Sequence, residues 1–371
     1  MFTSDPWILQ TVSGYHLEFE TTPHQVNLPK FPKFSESETV LIESEIRKLI
    51  SKGAVTEVSP CDNEFISTVF LVPKKTGDFR PVINLKPLNQ FVEKIHFKME
   101  NIHMALNCIS PGDFMVSIDL KDAYFSVPIF QPHRRYLRFL WNFKRYEFTC
   151  LPFGYSLAPR VFTKIFKPII AYFRFLGFRV VIFIDDLILI ASSYDECLQQ
   201  LEILKSTLCE LGFTVNVGKS QLVPVNEILY LGFLINSIAM TLHLPADKLM
   251  KIISACKTLL AKHQPSVRDV AKVTGLLVSA LPAVNYLEMH YRSLELCKTQ
   301  TLSGSLEYDT TLSLSSQARS DLEWVIENIT QCNGRLFQVP KIDIYIQSDA
   351  SLIGWGAVNG SLSASGRWSQ R

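Results

Sequence analysis

The sequence predicts an α+β fold, with mixed strands and helices first and a mainly helical region after Pro245. Short apolar runs punctuated by Gly, Pro and Asp fill residues 55–236, and amphipathic helical periodicity follows them. Hydrophobic residues make up 47% of the 371 residues, which excludes a disordered chain that could not offset its conformational entropy. No run of about 18 or more uninterrupted apolar residues is present, so no membrane span is predicted.

The cysteines and the N-terminus indicate an intracellular protein. Eight cysteines are scattered along the chain without a C-x-x-C pair or a Cys–His cluster, which is typical of reduced thiols and not of a disulfide framework or zinc site. The first 20 residues lack the basic start and the long apolar run of a secretory signal. We therefore expect a cytoplasmic or nuclear protein without a membrane partner.

The N-terminal elements are predicted from prolines, caps and turn residues. Prolines interrupt residues 1–37, which predicts an extended arm. A helix begins at Ser35, because Ser35 and Glu38 have the spacing of a capping box, and Gly53 closes it. Two strands follow, FISTVFLVPKK and FRPVINLKPLN, joined by a Thr-Gly-Asp turn at residues 76–78.

Apolar periodicity predicts the remaining elements. FMVSIDL and the region around RYEFTCLPFG are strands, RVVIFIDDLILIAS is two buried strands about an Asp-Asp turn, and FTVNV and EILYLGFLIN are short strands. A loop is expected at Thr299–Ser305, and KIDIYIQSDAS predicts a last strand that starts an unfinished unit. The predicted helices are Leu157–Phe175, Tyr194–Leu211, Asp247–Lys262, Ser266–Ala280, Leu281–Leu296 and Ser315–Ile329.

One segment is strongly basic although the whole chain has a net charge of only +2. Residues 131–179 contain ten Lys and Arg against one acid, Glu147, interleaved with aromatic residues. This composition fits a surface that faces a polyanion such as nucleic acid. An ordinary solvated face explains it nearly as well.

Two adjacent carboxylates interrupt an apolar segment. Asp185 and Asp186 lie within residues 180–191, where every other residue is apolar. An exposed hairpin turn would accommodate aspartate, but two neighbouring like charges repel, and Asn-Gly or Asp-Gly suits a tight turn better. Paired carboxylates in partly dry surroundings are costly unless a cation neutralises them, so a metal role competes with the turn interpretation.

A third carboxylate favours the metal role. Asp119 ends the apolar strand FMVSIDL, and two such strands side by side would give Asp119, Asp185 and Asp186 a shared position. Mg²⁺ prefers octahedral oxygen ligands. Two such ions about 3.5–4 Å apart would contact the attacking and leaving oxygens of a phosphoryl transfer.

Six blocks, taken together and in order, resemble retroelement reverse transcriptases from Val55 to Asn236: KKTGDFRPVINLKPLN, SIDLKDAYFSVPI, LPFGYSLAPRVF, FIDDLILI, LGFTVNVGKS and ILYLGFLIN. One departure is Phe183, where the family usually has Tyr; the ring is kept and the hydroxyl is lost. The flanking segments TSDPWILQTVSGYHLEF, LEYDTTLSLSSQARSDLEWVIENI, SDASLIGWGAV and SGRWSQR resemble DIRS-type retrotransposons, whose polymerase is similar to that of gypsy elements.

The resemblance implies a right-hand polymerase with fingers, palm and thumb, connection helices and the first β-hairpin of an RNase H-like domain. It implies RNA-directed DNA polymerisation with two Mg²⁺ ions, for which Mn²⁺ could substitute, on an RNA or DNA template with a primer and dNTPs. The implied regions are an N-terminal arm at 1–37, fingers and palm at 38–240, thumb at 241–298, connection at 299–340 and a partial RNase H-like domain at 341–371.

The resemblance also implies roles for individual residues. Asp119, Asp185 and Asp186 would be catalytic and hold the metal ions, and Tyr124 would be the steric gate that excludes a ribose 2′-hydroxyl. The loop length leaves open whether Lys74 or Lys75 holds the triphosphate. The implied dNTP contacts are Lys74, Lys75, Arg80, Asp122, Tyr124, Phe153, Gly154 and Lys219, and the implied primer grip is Tyr230, Leu231 and Gly232. An exposed basic hairpin, a core aromatic residue and a surface lysine are the ordinary alternatives.

Asp349 resembles the first catalytic aspartate of RNase H, after the alternating Ile342, Ile344 and Ile346. It is the last acid of the chain, and one carboxylate cannot organise two metal ions, so RNase H activity is not expected. A non-catalytic retroelement remnant that binds nucleic acid is the alternative function, against which the intact aspartate set argues. A nuclease alone is opposed by the complete polymerase blocks. The stop inside a domain suggests a fragment, and the sequence leaves the oligomeric state open.

Overall fold

The computed structural model describes residues 2–73, 79–304, 307–337 and 344–368. It forms two units, Met1–Arg335 and Leu336–Arg371. No helix among these described residues is long and apolar enough to cross a membrane.

Helices and strands alternate through most of the larger unit. The α-helices are α1 (Pro6–Gly14), α2 (Glu36–Ser51), α3 (Ile102–Asn107), α4 (Ala158–Phe175), α5 (Tyr194–Glu210), α6 (Ala246–Ala261), α7 (Val267–Ala280), α8 (Arg292–Gly304) and α9 (Ser316–Asn328). The strands are β1 (Val55–Val58), β2 (Ile66–Pro73), β3 (Phe79–Asn84), β4 (Phe114–Lys121), β5 (Arg138–Trp141), β6 (Lys144–Phe148), β7 (Arg179–Phe183), β8 (Asp186–Ala191), β9 (Thr214–Val215), β10 (Gln221–Val225), β11 (Glu227–Tyr230), β12 (Phe233–Asn236), β13 (Thr241–His243), β14 (Arg335–Leu336), β15 (Gln347–Ala350), β16 (Gly354–Asn359) and β17 (Leu362–Arg367). Short 3-10 helices lie at Leu88–Gln90, Ala123–Ser126, Gln131–Tyr136 and Leu287–Met289.

Three sheets organise the larger unit. The first has the order β1-β6-β5-β2-β3, and the central sheet has the order β10-β4-β8-β7 with β9 beside β4. The third is β11-β12-β13-β14. One face of strands β4, β7 and β8 packs in the same core as the buried side chains of α4 and α5.

The N-terminal segment differs from the predicted extended arm. Residues Pro6–Gly14 form α1, since the Asp5 side chain accepts a hydrogen bond from the Trp7 amide at 2.8 Å and Pro6 suits the first helical turn. Tyr15 and Leu17 are then buried in the main core. The arm is therefore an integral part of the larger unit. The capping box at Ser35 and Glu38 is confirmed at the start of α2.

The predicted helix Leu281–Leu296 is wrong up to residue 291, and only its last residues are helical, in α8. The helix α7 ends at Ala280, and a 3-10 helix intervenes before α8. Val284 forms a β-bridge with Asn333, and Tyr286 has a φ of 66°, a left-handed conformation that a helix cannot contain.

The predicted loop at Thr299–Ser305 is also wrong as far as Gly304, where α8 ends; Ser305 lies outside the described residues. The hydroxyls of Thr299 and Thr301 donate to carbonyl oxygens four residues earlier, at 2.8 and 2.9 Å, so they bond within the helix. As a result, α8 crosses the predicted boundary between residues 298 and 299.

Strands β1, β5, β10, β13 and β14 were not predicted. Pro224 disfavours a strand, but β10 lies at the edge of the central sheet, where a missing amide is tolerated.

The smaller unit is a three-stranded antiparallel sheet, β15-β16-β17, and not a single hairpin. The strand predicted from KIDIYIQSDAS begins only at Gln347. Ile344 and Ile346 precede it and are 64% and 66% exposed, while Ile342 lies outside the described residues. Ile344 and Ile346 therefore lie outside the strand that the sequence predicts for them.

Candidate active site

The central sheet brings the three predicted aspartates together. Strands β4 and β8 are antiparallel, so the end of one lies beside the start of the other, and Asp119 is directly opposite Asp186. Asp185 precedes Asp186 in the β7–β8 turn, and its carbonyl accepts a hydrogen bond from the Leu120 amide at 2.9 Å. All three residues are half-buried.

The turn that carries Asp185 is strained. Ile184 has a φ of 57°, and a left-handed conformation is strongly disfavoured for a β-branched residue. The pairing of Phe183 with Asp186 and the bond from Leu120 to Asp185 hold this turn in place. These contacts, which hold the turn despite its strain, fix where the two aspartates lie relative to β4.

Two further residues position Asp119, and sequence reasoning missed both. Asn216 donates from its side-chain amide to Asp119 Oδ1 at 2.8 Å and from its backbone amide to the Asp119 carbonyl at 2.8 Å. Ser220 Oγ accepts from the Asp119 amide at 3.0 Å and donates to the Asn216 carbonyl at 2.8 Å. Both lie in the LGFTVNVGKS block, which also contains Lys219, so their place in that block was the available signal.

The site has an excess of negative charge. Burial, followed by the charges of Asp185 and Asp119, raises the pKa of Asp186 to about 6. Burial and then Asp119 raise the pKa of Asp185. The exposed Lys219 acts in the opposite direction on both carboxyl groups. A cation between the carboxylates would relieve this repulsion.

The carboxylate oxygens of this site are donors that a hard divalent cation prefers, although they are not arranged as a complete metal site. No group of three acidic, His or Cys side chains in the described residues has the arrangement of a metal cluster. One Asp119 oxygen is bonded to Asn216, and unneutralised carboxylates repel one another. Three carboxylates at one end of a sheet nevertheless supply the oxygen ligands that Mg²⁺ prefers.

Tyr124 lies beside this carboxylate group in the 3-10 helix Ala123–Ser126. The residue is buried, with its ring centroid 4.9 Å from that of Phe153 and 5.7 Å from that of Phe162. Burial and then the charge of Asp185 raise the pKa of its hydroxyl to about 12. The hydroxyl thus stays protonated near neutral pH beside Asp185.

Phe153 and Gly154 follow the buried Leu151. Phe153 is 50% exposed, and Gly154 has a φ of 97° that favours glycine. Asn89, a third residue that the sequence did not single out, donates to the Gly154 carbonyl at 2.8 Å and accepts from the Ser156 amide at 3.0 Å. These bonds hold the loop close to the first sheet.

A cavity of about 560 Å³ adjoins this loop. Apolar side chains of α2 and of the first sheet line most of it, together with Phe153 and Gly154. Asp122 lies at the same cavity, as does Lys52, which is ion-paired with it. Lys74 and Lys75 lie outside the described residues, and the Arg80 backbone lies in β3 opposite Val72.

The predicted primer grip is a hairpin turn beside the aspartates. Tyr230 is buried, and its hydroxyl donates to the Asp186 carbonyl at 3.3 Å. Leu231 and Gly232 connect β11 and β12 with φ values of 48° and 76°. The positive φ favours glycine at position 232, whereas a Cβ there would meet only the movable end of the Lys248 side chain.

Asp349 belongs to the smaller unit and is described there by itself. It lies in β15 opposite Gly356, and its side chain accepts a hydrogen bond from the Ala350 amide at 2.8 Å. A cavity of about 410 Å³ adjoins it within the same sheet.

Comparisons with known proteins match this architecture. Residues 72–235 match the family model described as reverse transcriptase (RNA-dependent DNA polymerase). The Gag-Pol polyprotein of gibbon ape leukemia virus is 30% identical over 204 residues, which cover 52% of this chain and 12% of that polyprotein. The chain thus spans a small part of the curated relatives that it matches.

Solved structures of the foamy viral protease-reverse transcriptase share the fold. The complex with dsDNA has a TM-score of 0.70 at 18% identity, covering 95% of this chain and 71% of that one. The complex with an RNA/DNA hybrid has a TM-score of 0.67 at 18% identity, covering 95% and 47%.

Proposed function

We propose that this chain, in which residues 72–235 form a reverse transcriptase domain on a right-hand polymerase fold, is an RNA-directed DNA polymerase. The observation that carries the proposal is the opposition of Asp119 and Asp186 on adjacent strands, with Asp185 in the turn beside them. The reaction is addition of dNMP to a primer 3′-hydroxyl. The substrates are dNTPs and an RNA or DNA template with its primer.

Asp119, Asp185 and Asp186 would hold two Mg²⁺ ions, which Mn²⁺ could replace. When bound, these ions supply neutralisation of the charge that develops on the phosphoryl oxygens. Asn216 keeps one oxygen of Asp119 oriented, as outer partners of metal ligands do.

Other residues orient the nucleotide. Tyr124, fixed between Phe153 and Phe162, presents bulk where a ribose 2′-hydroxyl would lie. The absence of a side chain at Gly154 allows close approach of the nascent base pair. Arg80, with Lys74 or Lys75, is assigned to the triphosphate because a guanidinium matches phosphate oxygens with two parallel hydrogen bonds.

Two further assignments concern the primer end and the leaving pyrophosphate. The turn of Tyr230, Leu231 and Gly232 would present its backbone to the primer end, since Tyr230 ties it to Asp186. Lys219 is exposed and close enough to act on both aspartates, which supports a role near the leaving pyrophosphate. It would supply a proton there as general acid.

The flanking segments support assignment to a DIRS-type retrotransposon with a gypsy-like polymerase. The regions are then an N-terminal arm at 1–37, fingers and palm at 38–240, a thumb at 241–298, a connection at 299–340 and a partial RNase H-like domain at 341–371. We assign the protein to the cytoplasm or nucleus. The alternative is a retroelement remnant that binds nucleic acid without catalysis.

Primer extension by the 371-residue protein with Mg²⁺, dNTPs and a primed RNA template separates these alternatives. The wild type should extend the primer, and Asp185→Asn should lower the rate at least about 100-fold because it removes a metal ligand. Duplex affinity should barely change, which a binding titration measures. A wild type that binds the duplex without extending it would favour the remnant, and full turnover in Asp185→Asn would refute the assigned metal site.

A further inference from the structure

An ion pair joins helix α2 to the segment that carries Tyr124. Lys52, the C-cap residue of α2, lies with its Nζ 2.7 Å from Asp122 Oδ2. The side chains are 41% and 32% exposed. Asp122 has a φ of 52°, a left-handed conformation, and begins the 3-10 helix Ala123–Ser126. The pair therefore links the end of α2 to the edge of the candidate active site.

The location of the pair matters for an anionic substrate. Lys52 and Asp122 line the 560 Å³ cavity together with Phe153 and Gly154, which the proposed function places at the incoming dNTP. An unneutralised carboxylate there would repel the triphosphate, because like charges a few ångströms apart interact strongly in a partly buried site. Glu45 lines the same cavity and is itself paired with Lys48 at 2.6 Å.

We propose that Lys52 is a positioning residue for the nucleotide, acting through Asp122. Its ammonium neutralises the Asp122 carboxylate and holds it against the end of α2, so the triphosphate meets backbone and cations instead of a negative charge. This inference rests on the proposed polymerase function. It differs from a structural role, since surface ion pairs contribute little to stability.

The test is a double-mutant cycle on single-nucleotide incorporation by the full chain on a primed template. The variants are Lys52→Met, which keeps the apolar stem, Asp122→Asn, and the two combined. Lys52→Met should raise the KM for dNTP about threefold to tenfold with kcat within about twofold, because it weakens nucleotide binding and not the chemical step. Lys52→Arg should restore the wild-type KM.

The double variant separates indirect from direct action. With Asp122→Asn present no carboxylate remains to be neutralised, so the added Lys52→Met should change the KM by less than about twofold. If Lys52 instead contacted the phosphates itself, the double variant would show the same penalty as Lys52→Met alone, and the proposal would be overturned.

A matched control is Lys205→Met, which also breaks a lysine–glutamate pair, with Glu202 in α5, but away from the cavity lining, so the KM should be unchanged. Thermal unfolding of each variant should match the wild type within about 2 °C, as expected for partly exposed pairs. An unaltered KM in folded Lys52→Met would refute the inference while leaving the polymerase intact. A wild type that incorporates no nucleotide would instead refute the proposed function and the inference with it.

Discussion

Asn216 fixes one oxygen of Asp119, so its loss should weaken the metal site that we propose. Asn216→Ala should raise the Mg²⁺ concentration that half-saturates primer extension and lower the rate about 10-fold, because outer partners orient metal ligands. Titration of activity with Mg²⁺ measures both. The exposed Val217 in the same loop gives the control, and Val217→Ala should behave as wild type. Identical Mg²⁺ curves for Asn216→Ala and wild type would show that the amide has no part in metal binding.

Tyr124 should decide which sugar is accepted. Its ring is held by Phe153 and Phe162, so it cannot move away from a 2′-hydroxyl without disturbing a packed aromatic group. Tyr124→Val should lower the preference for dNTP over rNTP at least about 10-fold, chiefly by improving rNTP incorporation, since discrimination by clash disappears with the bulk. The ratio of kcat/KM for the two nucleotides measures it. Equal rNTP exclusion in both proteins would place the gate at another residue.

At the scale of single elements, the start of α7 is stabilised by charge. The Asp269 carboxylate accepts from Lys262 at 2.8 Å and closes a capping box with Ser266. The Lys262 hydrogen bond is the main cause that lowers the pKa of Asp269 to about 2. A depressed folded-state pKa means that the stabilisation is complete above about pH 4, the unfolded value, and is lost as pH falls towards 2.

Asp269→Asn should therefore lower the free energy of unfolding by about 1 kcal/mol at pH 7, discounted for partial exposure. The difference from wild type should shrink between about pH 4 and pH 2, which denaturant unfolding at several pH values measures. Asp247→Asn, in the exposed first turn of α6, should change stability by no more than about 0.5 kcal/mol. A difference for Asp269→Asn that stays constant down to pH 3 would contradict the ionic explanation.

The structure shows what the cations of the basic segment 131–179 contact, which the sequence left open. Most of its cations have partners within the described residues, so it is neither a continuous polyanion surface nor a simple solvated face. Arg138 is buried between Glu64 and Glu147, at 2.8 and 2.7 Å. Further ion pairs are Lys144–Glu57, Arg145–Glu64, Arg160–Glu18, Arg174–Glu100 and Arg179–Asp113, and Lys164 lies over the Trp7 ring.

The helix α1 also depends on tertiary contacts that the sequence does not reveal. Pro6–Gly14 forms one nine-residue helix, which is marginal in isolation. It is stabilised by contact with the larger unit: Trp7 packs against Tyr15 and receives the Lys164 ammonium 3.9 Å above its ring. The sequence near this helix, with several prolines after it, does not reveal these stabilising contacts.

At the scale of the whole molecule, the 371-residue protein should copy a template without degrading it. Strand β15, which carries Asp349, is exposed at every residue, and no acid follows Asp349. One carboxylate cannot organise the two metal ions that RNase H chemistry requires. Incubation with an RNA–DNA hybrid and Mg²⁺ should leave the RNA strand intact, as analysed on a denaturing gel. Hybrid-specific cleavage that vanishes in Asp349→Asn would contradict this, with another subunit completing the site.

The sequence by itself determined the elements that local pattern encodes. Apolar runs ending in Asp119 and interrupted at Asp185 predicted the strands β4, β7 and β8, and the capping box predicted the start of α2. Such signals need only neighbouring residues, because strand alternation and helix caps act within a few positions.

Only the tertiary structure decided which distant residues meet. It placed Asn216 on Asp119, 97 positions away, Lys52 on Asp122, 70 positions away, and Glu64 on Arg138. It also extended α8 through a Ser/Thr-rich segment that reads locally as a loop. These outcomes depend on packing and on charges brought together by the sheets, and no periodicity in the chain records which partner a buried polar group will find.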